Sequence, residues 1–434
     1  MNRRSFLKRT AALSAGTALS PFILPSGRLF ARTGSRRVGH VVFCLFAGGV
    51  RNIESVHQAE GNLMPALFPG SPSQIPGLDP IPASPHSQLL SSEGVLFQEL
   101  RYREGPTGHF NGHTVAVTGH YTDTGLNLRE NPQMPTIFEY YLKHNSPAQT
   151  ARNAWWISNA LGPYPALNYS RHPSYGPAYG ANHIAPTALL SSQTFPAIGN
   201  PKQFQFHEEE KVNSVRNFLN QNFDKQAGGA GFGITNTAQD ARDIQDFIQS
   251  LVEKGENGGF RNPLGINDLY ANNDIYTILF AEEVIREFKP ELLTVNMTDV
   301  DICHQNFTQY CNNLRKADYA VAHLWHSIQS TPGMADDTLL VIVPEHGRNL
   351  EPNTLQDVYG RFALDHTGDA TSREIFALLV GPPNLLRRGQ VVGSASDPVG
   401  ESIDIVPTIA HALGFDVDIP GGLLPGRVLS EAFT

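Results

Sequence analysis

Cysteine is scarce in this chain: Cys44, Cys303 and Cys311 are the only three in 434 residues. An odd count without paired spacing excludes a disulfide framework. Cys44 sits inside an apolar run and reads as core. Cys303 lies beside His304, where a small buried hydrophobe is the plain reading and a ligand the sharper one. Charge is modest and leans negative, with a formal net of -9. No Lys/Arg-rich block occurs outside the N-terminus, which argues against non-specific nucleic-acid binding. No apolar run approaches the roughly 20 residues that a spanning helix needs. Internal repeats are absent. The length suffices for a large core, and α/β enzymes of this size often form one unit.

The N-terminus carries Arg3-Arg4, then Phe6-Leu7-Lys8, then a mildly apolar run from Ala11 to Leu24 interrupted by Pro21. This resembles a twin-arginine export signal. Residues 1–31 are therefore expected to be a leader, and residues 32–434 the mature domain. The expected partner during export is the twin-arginine translocase, and the expected location is the periplasm or cell surface. Loss of residues 1–31 takes the formal charge from -9 to -14, which disfavours an anionic membrane surface.

Val38 to Phe46 is continuous, apolar and β-branched, as a buried parallel strand would be. Ala47-Gly48-Gly49 ends it, as a tight turn or a close backbone approach requires. Further strands are expected at Val95 to Leu100, Ala154 to Ser158, Leu292 to Met297, Leu339 to Val343 and Glu374 to Val380. Helices are expected at Gln133 to Lys143, Ala238 to Lys254, Asp268 to Phe288, Gln305 to Gln329 and Ser402 to Leu413. Pro407 falls in the first turns of the last helix, where proline is tolerated. Strands alternating with helices predict an α/β fold, a mostly parallel sheet with helices on both faces. Residues 160–235 are rich in Tyr, Pro, Asn and Gly and lose periodicity. They read as an insert over the sheet edge or the pocket mouth.

The residues that carry chemistry fall at the ends of these strands. Glu345 and His346 follow the strand Leu339 to Val343. Asp365 and His366 come twenty residues later. Asp301 and His304 follow the strand Leu292 to Met297. The C-terminal strand ends of an α/β sheet open into the crevice where ligands bind. Imidazoles and carboxylates delivered there suit a divalent metal, and zinc takes such donors with an open position for water or substrate. The first expected site uses Asp301, His304 and His366, with Asp299 as a substitute for Asp301 and Asp365 as an outer partner. Glu345 and His346 form a second, weaker one. Strand-end hydrogen-bond networks are the bland alternative for both. Arg348, two residues past His346, is expected either to contact an anionic substrate oxygen or to form a surface salt bridge.

Three stretches together resemble the alkaline phosphatase superfamily. Ser402-Ile-Asp-Ile-Val-Pro-Thr-Ile-Ala-His-Ala-Leu-Gly414 is similar to the sulfatase-type C-terminal helix. Val343-Pro-Glu-His-Gly347 stands where the family has strand, Asp-His-Gly. His109-Phe-Asn-Gly-His-Thr-Val-Ala-Val-Thr-Gly119 resembles the phosphodiesterase nucleophile helix. The resemblance implies an alkaline phosphatase-like sandwich, one or two divalent ions (zinc by preference), and hydrolysis of a small anionic phosphate or sulfate ester. It also marks departures. No carboxylate follows the first strand, Glu345 replaces an Asp, and His109 falls at the nucleophile position. His109 can attack directly, act as a base or ligate a metal. Thr107 and Thr114 are spare hydroxyls that a base could activate, and His113 is a further candidate for substrate contact. The alternative function is a catalytically degenerate metal-binding or partner-binding protein on the same fold.

Overall fold

The computed structural model describes residues 34–123, 130–145, 150–159, 167–190, 236–367 and 369–434. The expected leader, residues 1–31, lies outside them, as do residues 160–166 and 191–235 of the expected insert. Eight strands form one sheet: β1 His40–Phe46, β2 Gly94–Arg101, β3 Ala154–Ser158, β4 Asn182–Ile184, β5 Leu292–Met297, β6 Thr338–Pro344, β7 Glu374–Val380 and β8 Gln390–Val392. Their spatial order is β4-β3-β5-β1-β6-β7-β2-β8. The pairs among β4, β3, β5, β1 and β6 are all parallel. β7 runs antiparallel to both β6 and β2, and β8 pairs with β2 in parallel.

Seven helices accompany the described strands: α1 His109–Thr118, α2 Ile137–His144, α3 Pro186–Leu190, α4 Ala238–Glu256, α5 Asn273–Phe288, α6 Phe307–Gln329 and α7 Ile405–Leu413. They cover both faces of the sheet. Val42, Cys44 and Phe46 of β1 pack with α5 and α6 on one side. Val41, Phe43 and Leu45 pack with α1, α2 and α7 on the other. Alternation along a strand buried on both faces is why β1 reads as a continuous apolar run.

The α4 helix starts at Ala238 as its periodicity suggests, whereas α2, α5 and α6 start later than theirs because side-chain caps set them. Helix α2 begins after Thr136, whose hydroxyl and the Glu139 carboxylate form a capping box. Asn272 caps α5 and Asn306 caps α6. The described part of the insert is not only cover: β4 adds a strand at the sheet edge beside β3. Among the described residues no helix is long and apolar enough to cross a membrane.

The site-bearing end follows from this topology. Parallel β1, β5 and β6 finish side by side, so the turn at Gly48-Gly49, the segment from Asp299 to His304, and Glu345-His346 emerge together. Because β7 is antiparallel, its start lies at the same end, and the chain from Ala363 to Arg373 must cross the site to reach it. That crossing delivers His366.

Candidate metal centre

The β5 end is held first. Asp274, fully buried in the first turn of α5, accepts from the Asp299 N–H at 3.3 Å. The Asp299 carboxylate in turn accepts from the Asp274 N–H at 3.1 Å. This exchange commits Asp299 to the helix, so it does not stand in for Asp301. The short 3-10 turn Asp299–His304 then presents Asp301 and His304 on the crevice side. Cys303 between them is buried, and burial pushes its thiol up to about 12, which leaves it an inert core group.

His109, Asp301, His304 and His366 bring one ligand-capable atom each within 4.8 Å of one another, and so do His109, Glu345 and His346. The two groups share His109. Ring centroids are 4.3 Å apart for His346 and His366, 4.6 Å for His304 and His366, and 4.5 Å for His109 and His366.

Three of these imidazoles are oriented in the same way. His304 Nδ1 bonds Asp365 Oδ1 at 2.7 Å. His346 Nδ1 bonds the Gly347 carbonyl at 2.7 Å. His366 Nδ1 bonds the Thr107 carbonyl at 2.5 Å. Each ring nitrogen pinned by a carboxylate or carbonyl leaves Nε2 available for a ligand, the usual arrangement behind a metal-binding histidine. His346 Nε2 is buried with no well-aligned hydrogen bond, its near neighbour being Glu345 Oε1 at 3.2 Å, while Glu345 Oε2 faces His113 Nδ1 at 2.5 Å. Orphaned polar atoms cost free energy unless something satisfies them. A nitrogen-and-carboxylate donor set in which the buried His346 Nε2 has no aligned partner fits a divalent cation.

His109 is the first residue of α1, after Gly108, and no side-chain cap closes that helix end. Its Nδ1 lies 2.8 Å from Glu345 Oε1 and its Nε2 3.1 Å from Asp301 Oδ1. Burial opposes protonation there, but hydrogen bonds to Asp301 and Glu345 outweigh it and carry His109 up to about 10. His366 goes the other way, down to about 2, through burial and then the nearby His346, His109 and Arg348. Burial works against ionisation of Glu345, yet His113, His346 and His109 hold it well below the usual carboxylate range. Asp301 is also lowered, since bonds from His109 and His304 and the charge of Arg348 overcome desolvation.

Three residues stand elsewhere than expected. The sequence points Arg348 toward an anionic substrate oxygen or a surface salt bridge. Its side chain is fully buried, and its donors go to Gly49 O at 3.1 Å, Leu364 O at 2.8 Å, Gly48 O and Asp301 Oδ1 at 2.9 Å. Four carbonyls, that of Val300 at 3.4 Å included, and a carboxylate from the protein occupy the guanidinium. Thr107 was a possible nucleophile, but its buried hydroxyl donates to the His366 carbonyl. His113 was a candidate for substrate contact. It is buried, bonds the His109 carbonyl through Nδ1 at 2.7 Å, and comes within 2.5 Å of Glu345 Oε2. Thr107 and His113 thus buttress the cluster in this structure.

The sequence gives no sign of the Arg348 cradle except Gly48-Gly49. Both glycines have positive φ, +105° and +82°. A Cβ on Gly48 would stand 2.5 Å from the Asp301 nitrogen, and one on Gly49 2.5 Å from His346 Nδ1. The turn therefore offers carbonyls rather than a carboxylate.

No family model matches the chain, and no curated protein matches it. Solved structures do resemble it. A protein in the alkaline phosphatase superfamily from Vibrio parahaemolyticus is 12% identical over 92% of this chain and 74% of that one, with a TM-score of 0.40. Wild-type alkaline phosphatase PafA is 10% identical over 93% of this chain and 100% of its own, with a TM-score of 0.46. The lipoteichoic acid synthase LtaP from Listeria monocytogenes is 11% identical over 91% and 74%, with a TM-score of 0.43. At these identities and TM-scores the likeness decides nothing about what this chain acts on.

Proposed function

We propose that this protein is an exported, metal-dependent hydrolase of phosphate or sulfate esters, of the alkaline phosphatase type. The observation that carries the reading is the convergence of His109, Asp301, His304, Glu345, His346 and His366, with three rings pinned through Nδ1. Asp301, His304 and His366 would hold one divalent ion, and Glu345 and His346 a second. Zinc suits such donors best. When bound, the metal supplies Lewis-acid polarisation of the ester oxygen.

The remaining work belongs to the chain. The open N-terminus of α1 favours the negative charge of a phosphate or sulfate group at the cluster. His109 stands at that terminus between two carboxylates and is the group suited to hold and move a proton at Nε2. Asp365 and the Thr107 carbonyl keep His304 and His366 in one tautomer. Arg3-Arg4 and the apolar run behind them support export by the twin-arginine route to the periplasm or cell surface.

The second reading is a binding protein that keeps the fold and a metal. One observation favours it: both ring nitrogens of His109 are engaged by carboxylates, which leaves it neither free base nor free nucleophile before ions enter. Turnover of aryl phosphates, phosphodiesters and aryl sulfates by metal-loaded mature protein separates the two. The hydrolase reading expects activity that a chelator abolishes and that His109→Ala loses while retaining metal. No turnover across all three classes by fully loaded wild type gives the binding reading.

A further inference from the structure

The cluster residues come from different segments, and the Arg348 side chain touches most of those segments at once. Arg348 reaches the turn after β1 through the Gly48 and Gly49 carbonyls. It reaches the end of β5 through Asp301 Oδ1 at 2.9 Å and the Val300 carbonyl at 3.4 Å. It reaches the crossing segment before β7 through the Leu364 carbonyl at 2.8 Å. Its own backbone follows Glu345 and His346. Its guanidinium lies 6.0 Å from the Tyr310 ring centroid on α6.

Asp301 Oδ1 also faces His109 Nε2 and His304 Nε2 at 3.1 Å each; of these three partners Arg348 is the one that would stay with Asp301 when an ion takes the rings. The Asp301 side chain is 41% exposed, whereas Arg348 is at 0%. An exposed carboxylate on a short turn has rotamer freedom that must be lost before it can ligate. A guanidinium can fix it because the fork is planar, carries five N–H donors and remains charged. The two glycines complete the device. Their positive φ turns both carbonyls toward Arg348, and any Cβ there would strike Asp301 or His346.

We infer that Arg348 is a positioning residue of the metal centre. It is a permanently buried, non-ligating cation that orients Asp301 and locks the strand-end segments in ligand geometry. It does not bind substrate. This inference rests on the metal-centre reading above and adds to it a role for a side chain whose donors the protein itself occupies.

The test is zinc affinity of the full mature chain, measured by competition with a chelating dye, for Arg348→Met, Arg348→Lys, Asp301→Ala and the double variants with Asp301→Ala. Loss of an outer partner of a metal ligand typically weakens binding by about 10–100-fold. Arg348→Met is expected to fall in that range, and Arg348→Lys to fall too, since an ammonium cannot span the carbonyls and the carboxylate together. On an Asp301→Ala background the Arg348 substitutions should lose most of their effect, because contacting residues couple. A merely structural role would lower the melting temperature of the metal-free protein and leave zinc affinity and this coupling unmoved. Where Arg348→Met does not fold, Arg348→Lys carries the same comparison. Wild-type affinity in either folded variant, or full additivity with Asp301→Ala, overturns the inference alone. A wild-type chain that binds no zinc overturns the metal-centre reading with it.

Discussion

Replacement of Gly48 by alanine tests how tightly the turn after β1 is built against the site. Two costs add. The first is backbone: Gly48 has φ +105°, and an L-residue held in the left-handed region costs about 1–2 kcal/mol. The second is steric: the new Cβ would stand 2.5 Å from the Asp301 nitrogen and 2.7 Å from its Cα. Those atoms are backbone and yield little, so overpacking adds about 1–3 kcal/mol. The total is about 2–5 kcal/mol. For a chain of this length the entropy of unfolding is roughly 0.9 kcal/mol per degree, so the melting temperature should fall by about 2–5 °C. Gly389→Ala is the control. It shares a positive φ, +75°, but its Cβ would meet nothing within 4 Å among the described residues. Calorimetry of both metal-free variants separates the terms, and zinc competition shows whether displacement of Asp301 also weakens the site. If Gly48→Ala melts with Gly389→Ala and binds zinc like wild type, the close packing of the turn against Asp301 is wrong.

Other outcomes follow from the same contacts. Asp365→Ala frees His304 Nδ1 from its 2.7 Å partner and should weaken zinc binding by about 10–100-fold, read by chelator competition in the folded variant. Burial, then the charge of Lys143, lowers His144 to about 4, while the unfolded group titrates near 6.5. Its contribution is thus present above pH 6.5 and lost as pH falls toward 4. The stability difference between wild type and His144→Gln should shift by about 2 kcal/mol across that window, after a discount for solvent screening; a flat difference in urea melts refutes it. Changing Arg3 and Arg4 both to Lys should hold precursor in the cytoplasm on fractionation, and normal export would show the leader misread.

Much of the fold is legible in the sequence because buried strands announce themselves. β3, β5 and β7 match their apolar runs end to end, and β1 and β6 lie within two residues. β4 and β8 do not, since three residues at a sheet edge carry no periodicity to read. The antiparallel direction of β7 is equally silent, for its apolar pattern is the same either way. At the site, Glu345-His346 and Asp301-His304 can be read as strand-end pairs, and His366 by its spacing. Arg348 could not be read. An arginine in a polar loop looks solvent-facing unless one knows that Gly48, Gly49 and Leu364 turn their carbonyls on it. Thr107 and His113 fail similarly: their types suggest chemistry, but the geometry spends their donors on His366 and on the surroundings of His109 and Glu345.

Divalent-ion content of the purified mature protein, compared with His366→Ala and His346→Ala, shows whether the histidine cluster holds a metal. The rings of His346 and His366 are 4.3 Å apart, and each has Nδ1 bonded to a backbone carbonyl. Wild type should hold at least one divalent ion per chain through dialysis, and the folded variants should release it to a chelator that wild type resists. A wild-type chain that binds no divalent ion, or variants that hold it as firmly as wild type, would contradict the account.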